Sequence, residues 1–411
     1  MIHFINISKA LLTTSFLVSL IWQSNSQVSK GVAEGQFPQP AQNHKKNIAQ
    51  LNERTADTSK RPWEDYISLK DYCSPFWKAD TIFDESVQLI KNGANSTAGL
   101  LYGAKKILSV KAANYSRTFV EGRDWDYKNG RLVFGQKSTV PFFTAEQIFF
   151  NKEIPGRSVS GNVAGTFVLF SEGAYFSSMQ ILVTYVKNKS SKWSGPTPAF
   201  AATTLPNTLL KLKSKENLKI VFYGNSIEVG YNASGLEKVP PFMPVWPDLV
   251  AYNLKRKYGG PITCSNLSVI GKLAKWGQES VSTKVLPEKP NLVIIGFGMN
   301  DGSDKLAPEV YGAHIKGILD SVNKISPKTE FILISPMLAN PLSSFSGTQA
   351  LFKKELDKLK RKGVVVADIT GAHIELLKHK SYQDMTGNNI NHPNDYLARW
   401  YAHVISGILI E

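Results

Sequence analysis

Cysteine is nearly missing from this chain. Its 411 residues include only Cys73 and Cys264, which leaves room for at most one disulfide; a bridge and two buried thiols both fit the sequence, and neither residue is assigned chemistry. Long apolar runs are equally scarce. Beyond Ala10–Trp22 no stretch resembles a membrane span, which excludes a chain that crosses a bilayer repeatedly. Acidic side chains fall short of the basic ones, 33 against 48, for a formal charge of +15. The surplus is scattered except for one cluster, Lys353–Lys362 (KKELDKLKRK). At helical spacing that cluster reads as a solvated helix face rather than a nucleic-acid site. In an exported protein the surplus also favours approach to an acidic polymer.

What is present is ordinary globular material: 42% hydrophobic, 11% aromatic and 20% charged residues, far from disordered or fibrous compositions. A chain of this length divides more often into two domains than one. The apolar run after Lys9, followed by Gln23-Ser-Asn-Ser-Gln27, is too short to span a bilayer comfortably and fits the core of a signal peptide over residues 1–26. Residues 27–61 are polar and read as a flexible spacer. No integral span then remains after signal removal, and the protein is expected to be secreted or periplasmic.

From residue 62 to 200 the pattern is short β-branched and aromatic runs, among them Lys106–Val110, Arg131–Phe134, Gly165–Phe170 and Met179–Tyr185. Turn signals such as Lys128-Asn-Gly130 and Ser160-Gly-Asn162 separate them. This spacing predicts an antiparallel β-sandwich, jelly-roll-like in its short strands. Residues 201–217 serve as a linker. From 218 to 411 buried strands (Leu218–Tyr223, Asn291–Ile295, Phe331–Ile334, Val364–Val366) alternate with amphipathic stretches at Pro247–Lys257, Pro308–Lys324, Gln349–Arg361 and Asp395–Ile408. That rhythm predicts a parallel sheet covered by helices on both faces, with reactive groups at the carboxyl ends of its strands.

Four stretches carry chemistry. In Tyr223-Gly-Asn-Ser-Ile-Glu228 a strand ends in a glycine-containing turn that presents Ser226 at the start of a helix, where its hydroxyl is exposed to substrate and its backbone NH aims at a developing oxyanion. An N-cap serine has the same local signature. In Asn266-Leu-Ser-Val-Ile-Gly271 a strand leads to a glycine whose backbone can approach a ligand, although such a glycine is most often a plain turn. In Gly296-Phe-Gly-Met-Asn300-Asp301 the side-chain amide of Asn300 is a further oxyanion donor. In Asn389-Ile-Asn-His392-Pro-Asn-Asp395, His392 can take a proton from a serine hydroxyl and return it to the leaving alcohol. A lone histidine is usually structural. Together the four supply nucleophile, oxyanion donors and base, the set that serine acyl transfer needs.

The order Ser226, Gly271, Asn300, His392 resembles the four blocks that name the SGNH hydrolases, also called the GDSL family, over roughly residues 218–411. The resemblance implies a three-layer α/β/α flavodoxin-like domain and ester hydrolysis with no metal or other cofactor. It makes Ser226 the nucleophile, the NH groups of Ser226 and Gly271 the oxyanion hole together with Asn300, and His392 the base. Asn225 stands where the family carries an aspartate, and Asn keeps an acceptor to brace the turn. The acid three residues before the histidine is Asn389 here, so a Ser–His dyad is expected, with Asn389 or, less directly, Asp384 orienting the ring.

A β-domain ahead of such a domain, with Leu209–Lys213 and Ile220–Ser226 at the joint, is similar to the second carbohydrate-esterase family and related polysaccharide deacetylases. Removal of acetyl groups from a glycan is therefore the implied activity, an acetylated glycan the partner, and nucleic acid is not one. Trp276 and Trp246 are candidate sugar contacts, with core packing the competing role of each. A glycan-binding protein with a degenerate site, and a lipase or thioesterase with an apolar trench beside Ser226, are the alternatives.

Overall fold

The computed structural model describes residues 60–91 and 96–411. The signal-peptide reading, and all of the spacer but its last two residues, fall outside them. Among the described residues no helix is long and apolar enough to cross a membrane.

The strand Leu218–Gly224 is Leu-Lys-Ile-Val-Phe-Tyr-Gly, buried along almost its whole length. Its neighbours are Ile262–Asn266 on one side and Leu292–Gly296 on the other, and Glu330–Ile334 and Val364–Ala367 complete a five-stranded sheet. Every pairing in it is parallel. In chain order the strands run 2-1-3-4-5, so the winding reverses between the first and the third, and a crevice opens at their carboxyl ends.

Alternate side chains of each strand enter different cores, because successive residues of a strand point to opposite faces. Val221, Tyr223, Val293 and Ile295 meet the helices Ala274–Lys284 and Pro308–Ile325. The second of these starts on a proline, which costs no hydrogen bond at that position. It buries Tyr311, Ile315, Ile318, Leu319 and Val322 at three- and four-residue spacing. Ile220, Phe222 and Ile294 face the opposite way, toward Trp246–Tyr258 and Asp395–Leu409.

The helix Asp395–Leu409 is buried nearly all round. A helix buried on every side must have apolar partners on every side. Here the second partner is the N-terminal region, since the same apolar cluster continues into Ile82, Val110, Ile181, Val183 and Tyr185. Those residues belong to an antiparallel sheet of Thr81–Val87, Ile181–Lys187 and Ala104–Ala112. Two more three-stranded antiparallel sheets accompany it, one of Phe149–Phe150, Phe167–Leu169 and Ser158–Ser160, the other of Ser96–Ala98, Arg131–Phe134 and Asp126–Lys128. The turn signal Lys128-Asn-Gly130 closes a hairpin with φ of 52° at Asn129 and 75° at Gly130, the pair of positive values a type I′ turn needs.

Three details differ from the sequence expectations, and one open alternative is resolved. The segment read as a linker contains the helix Pro206–Ser214, which buries Leu209 and Leu212. The stretch Gln349–Arg361 is broken into a 3-10 turn, Gln349–Leu351, and a short helix, Phe352–Asp357. The strand before Gly271 ends at Asn266, and 267–273 is loop. Cys73 and Cys264 are unpaired thiols, both pushed up to about 12 by burial, which leaves them protonated and poor nucleophiles. The basic cluster forms Lys353–Asp357, Lys358–Glu355 and Lys360–Asp357 ion pairs within its own segment.

Candidate active site

Ser226 opens a single helical turn, Ser226–Val229, directly after the first parallel strand. Asn225 caps it: its Oδ1 accepts from Ile227 N at 3.0 Å while Glu228 Oε2 accepts from Asn225 N at 2.9 Å. This reciprocal box satisfies two amides that a helix start leaves open. The Asn225 side chain also donates to Gly296 O at 3.2 Å, tying the turn to the third strand. Gly224 and Gly296 are required here. A Cβ on either would lie 2.4 or 2.2 Å from a Glu228 carboxyl oxygen. Burial pushes Glu228 up to about 8, so its carboxyl is predominantly neutral at pH 7.

Ser226 Oγ and His392 Nε2 are 2.8 Å apart, and both residues are buried. On the other side of the ring, Asn232 Oδ1 lies 2.7 Å from Nδ1. An amide oxygen only accepts, so Nδ1 carries the proton and Nε2 is left as the acceptor facing the serine hydroxyl. The orientation of Asn232 is itself fixed, because its Nδ2 donates to Gly173 O at 3.0 Å. Asn388 Nδ2 is 3.1 Å and Glu172 Oε2 3.5 Å from Nδ1. The Tyr231 ring meets the imidazole edge to face at 5.8 Å.

The loop bearing His392 is shaped by Asn388, whose Oδ1 accepts from the backbone NH of Ile390, Asn391 and His392. Neither residue expected to orient the ring does so. Asn389 takes φ of 68°, which turns its side chain away to donate to Leu169 O and to accept from Asn340 and Gln383. Asp384 accepts from the backbone NH of Gln88 and Ser381. Asn232 and Glu172 stand in their place, while the Asn388 amide nitrogen, a donor, has Asn391 Oδ1 and Glu172 Oε1 as its acceptors. The run Asn388-Asn389 before Ile390 was a visible turn signal, whereas Asn232 and Glu172 carry no local signature.

The oxyanion candidates converge on one loop. Val269 N donates to Gly224 O at 3.1 Å, which docks the segment carrying Gly271 onto the turn before Ser226. Gly271 is exposed and has φ of 72°, a backbone conformation that favours glycine. Asn300 lies in the short helix Met299–Ser303 and donates to Lys272 O at 3.1 Å. The neighbouring Asp301 is pushed up to about 6 by burial and accepts from Ala274 N, anchoring the far end of that loop.

The tryptophans separate. Trp246 is fully buried, packs against Phe222 and Tyr401, and donates from Nε1 to Ile227 O at 2.9 Å. It supports the Ser226 turn from beneath and has no surface left for a sugar. Trp276 is half-buried against Tyr223 and Phe297.

Residues 222–400 match the model of the GDSL-like lipase/acylhydrolase family. No curated protein matches the chain. Among solved structures, similarity extends to a two-domain esterase active on acetylated mannans, co-crystallized with mannopentaose, at 21% identity and TM-score 0.43 over 52% of this chain and 55% of that one. The chain thus spans about half the length of that esterase. An α/β hydrolase enzyme from the metagenome of Lake Arreo, Spain, is 19% identical, TM-score 0.39, over 47% of this chain and 97% of that one. An acetylxylan esterase from Geobacillus stearothermophilus is 16% identical, TM-score 0.38, over 46% and 92%.

Proposed function

Taking the GDSL-like match over residues 222–400 as premise, we propose that this protein is an exported serine esterase that removes O-acetyl or similar short acyl groups from a polysaccharide. The observation that carries the reading is the 2.8 Å contact between Ser226 Oγ and His392 Nε2, with Nδ1 held by an acceptor. That arrangement leaves the base lone pair on the atom that faces the nucleophile.

In the proposed reaction Ser226 Oγ attacks the acyl carbonyl carbon as His392 Nε2 takes its proton. The oxyanion is met by the backbone NH of Ser226 and Gly271 and by the Asn300 amide. The bond to the sugar oxygen then breaks, and that oxygen leaves with the proton from His392. Water, activated by the same nitrogen, attacks the acyl-enzyme and releases the carboxylic acid. Asn232, Asn388, Asn391 and Glu172 make the neighbourhood of the base polar, which suits a hydroxyl-rich substrate better than an acyl chain.

Acetate release from a panel of acetylated polysaccharides, with p-nitrophenyl acetate as control ester, tests the reading. Release by the wild type and its loss in Ser226→Ala are expected, and the preferred polymer names the substrate. A folded wild type that binds a glycan yet cleaves neither polymer nor control would make it a binding protein instead.

A further inference from the structure

The base of this site is short of one thing that its own loop does not provide. Abstracting the serine proton turns His392 into an imidazolium; Asn232 fixes its direction without supplying charge, and Asn388 is likewise a neutral amide. Ser226, Tyr231, Asn232, Asn388 and Glu172 face the ring. Of these, only Glu172 carries a charge at neutral pH.

We propose that Glu172, reaching in from the antiparallel region, is the carboxylate partner of His392, so that ring orientation comes from Asn232 and charge compensation from a distant part of the chain. Glu172 acts through His392 and is a positioning residue in the acyl transfer proposed above, on which this inference rests. Three observations carry it. Glu172 Oε2 is 3.5 Å from Nδ1, close enough for the imidazolium N–H to be shared between it and Asn232 Oδ1. Asn388 Nδ2 lies 3.5 Å from Glu172 Oε1, on the same side of the ring. The next residue, Gly173, accepts from Asn232 Nδ2 at 3.0 Å, so one two-residue step of backbone sets both the amide that orients the ring and the carboxylate beside it.

The carboxylate also responds to the histidine. Burial raises Glu172, but the charge of His392 and hydrogen bonds from His392, Asn388 and Asn232 outweigh it and hold the group below the ordinary value. Its side chain keeps 40% of its exposure. The ion is therefore partly solvated and avoids the full cost of a buried charge.

Two measurements on the full chain test this. The first is the pH profile of p-nitrophenyl acetate cleavage by wild type, Glu172→Gln, Glu172→Asp and Ser226→Ala. Glu172→Gln is expected to lower kcat about tenfold or more with little change in KM, and to move the acidic limb of kcat/KM down by about one pH unit; Glu172→Asp recovers part of both. The second needs no activity: titration of the Glu172 side-chain carboxyl by 13C NMR in wild type and His392→Gln, where loss of the cation is expected to move it upward.

A Glu172→Gln profile superimposable on wild type, with Ser226→Ala inert, overturns the inference and leaves the esterase reading intact. If the wild type cleaves nothing, the esterase reading fails and the carboxyl titration decides: an upward shift in His392→Gln sustains the ion pair, and an unchanged titration ends it.

Discussion

The two halves of the proposed reacting pair, Ser226 and His392, are held in place by different parts of the molecule. Ser226 is braced almost entirely by residues near it in sequence or in the same sheet: Asn225, Glu228, Gly224 and Gly296. The segment before and around His392 is held from far away. Gln88 N and Ser86 Oγ both donate to Asp384, Gln180 Nε2 donates to Gln383 O and Thr386 O, and Asn389 Nδ2 donates to Leu169 O. Asn394, which caps the last helix, also donates to Ser86 and Gln180. The antiparallel region is therefore a structural part of the candidate site: it anchors the loop that carries His392.

The sharpest way to break this asymmetry is to attack the long-range side. Glu85 and Lys380 form an ion pair at 2.7 Å with neither side chain exposed. Glu85→Ala is expected to destabilise the protein by about 3–5 kcal/mol, the usual cost of stranding one buried charge, and to depress esterase activity through the 380–394 segment. Urea denaturation with parallel assays of cleavage would show both. A loss below about 1 kcal/mol would mean that the histidine loop stands without this anchor.

A smaller effect is expected on the local side. Asn225→Ala removes the cap on Ile227 N and the bond to Gly296 O, which together contribute about 1–2 kcal/mol. The same denaturation series measures it, and a cost above that of Glu85→Ala would reverse the comparison. Smallest at acidic pH is Glu228→Gln. The folded-state value of Glu228, about 8, lies above the ordinary 4.5, so the native state binds the proton more tightly than the unfolded chain. Its stabilising contribution is complete below about 4.5 and is lost as pH rises through about 8. Glu228→Gln should match wild type near pH 4 and exceed it by a margin that grows as pH rises toward 8 in a denaturation series, and a wild-type stability that holds level from pH 5 to 8 would count against it.

Where the chemistry could be read from the sequence, the determinants were local. The strand Leu218–Gly224 followed by Asn225-Ser226 is a run of apolar residues, a glycine and a capping asparagine, each of which acts within a few residues of itself. The helices Trp246–Tyr258, Pro308–Ile325 and Asp395–Leu409 were visible for the same reason, since apolar periodicity marks the buried side. The orienting of His392 was not. The resemblance, with its acid three residues before the histidine, nominated Asn389, and that residue, at positive φ, sends its side chain to Leu169 instead. The role of Trp246 stayed open between sugar contact and core packing for a related reason: an aromatic residue near a site in sequence can face either the cleft or the core, and only packing decides which.

By itself, then, the sequence determined the parallel sheet, the order of the four motifs and the pairing of Ser226 with His392 as candidates, because hydrophobic periodicity and turn chemistry are short-range. Tertiary structure alone decided what stands behind the histidine. Asn232 and Glu172 reach Nδ1 from positions remote from His392 in the chain, and a hydrogen bond or an ion pair between such positions leaves no periodic trace. It exists only once the antiparallel region and the last helix share one core.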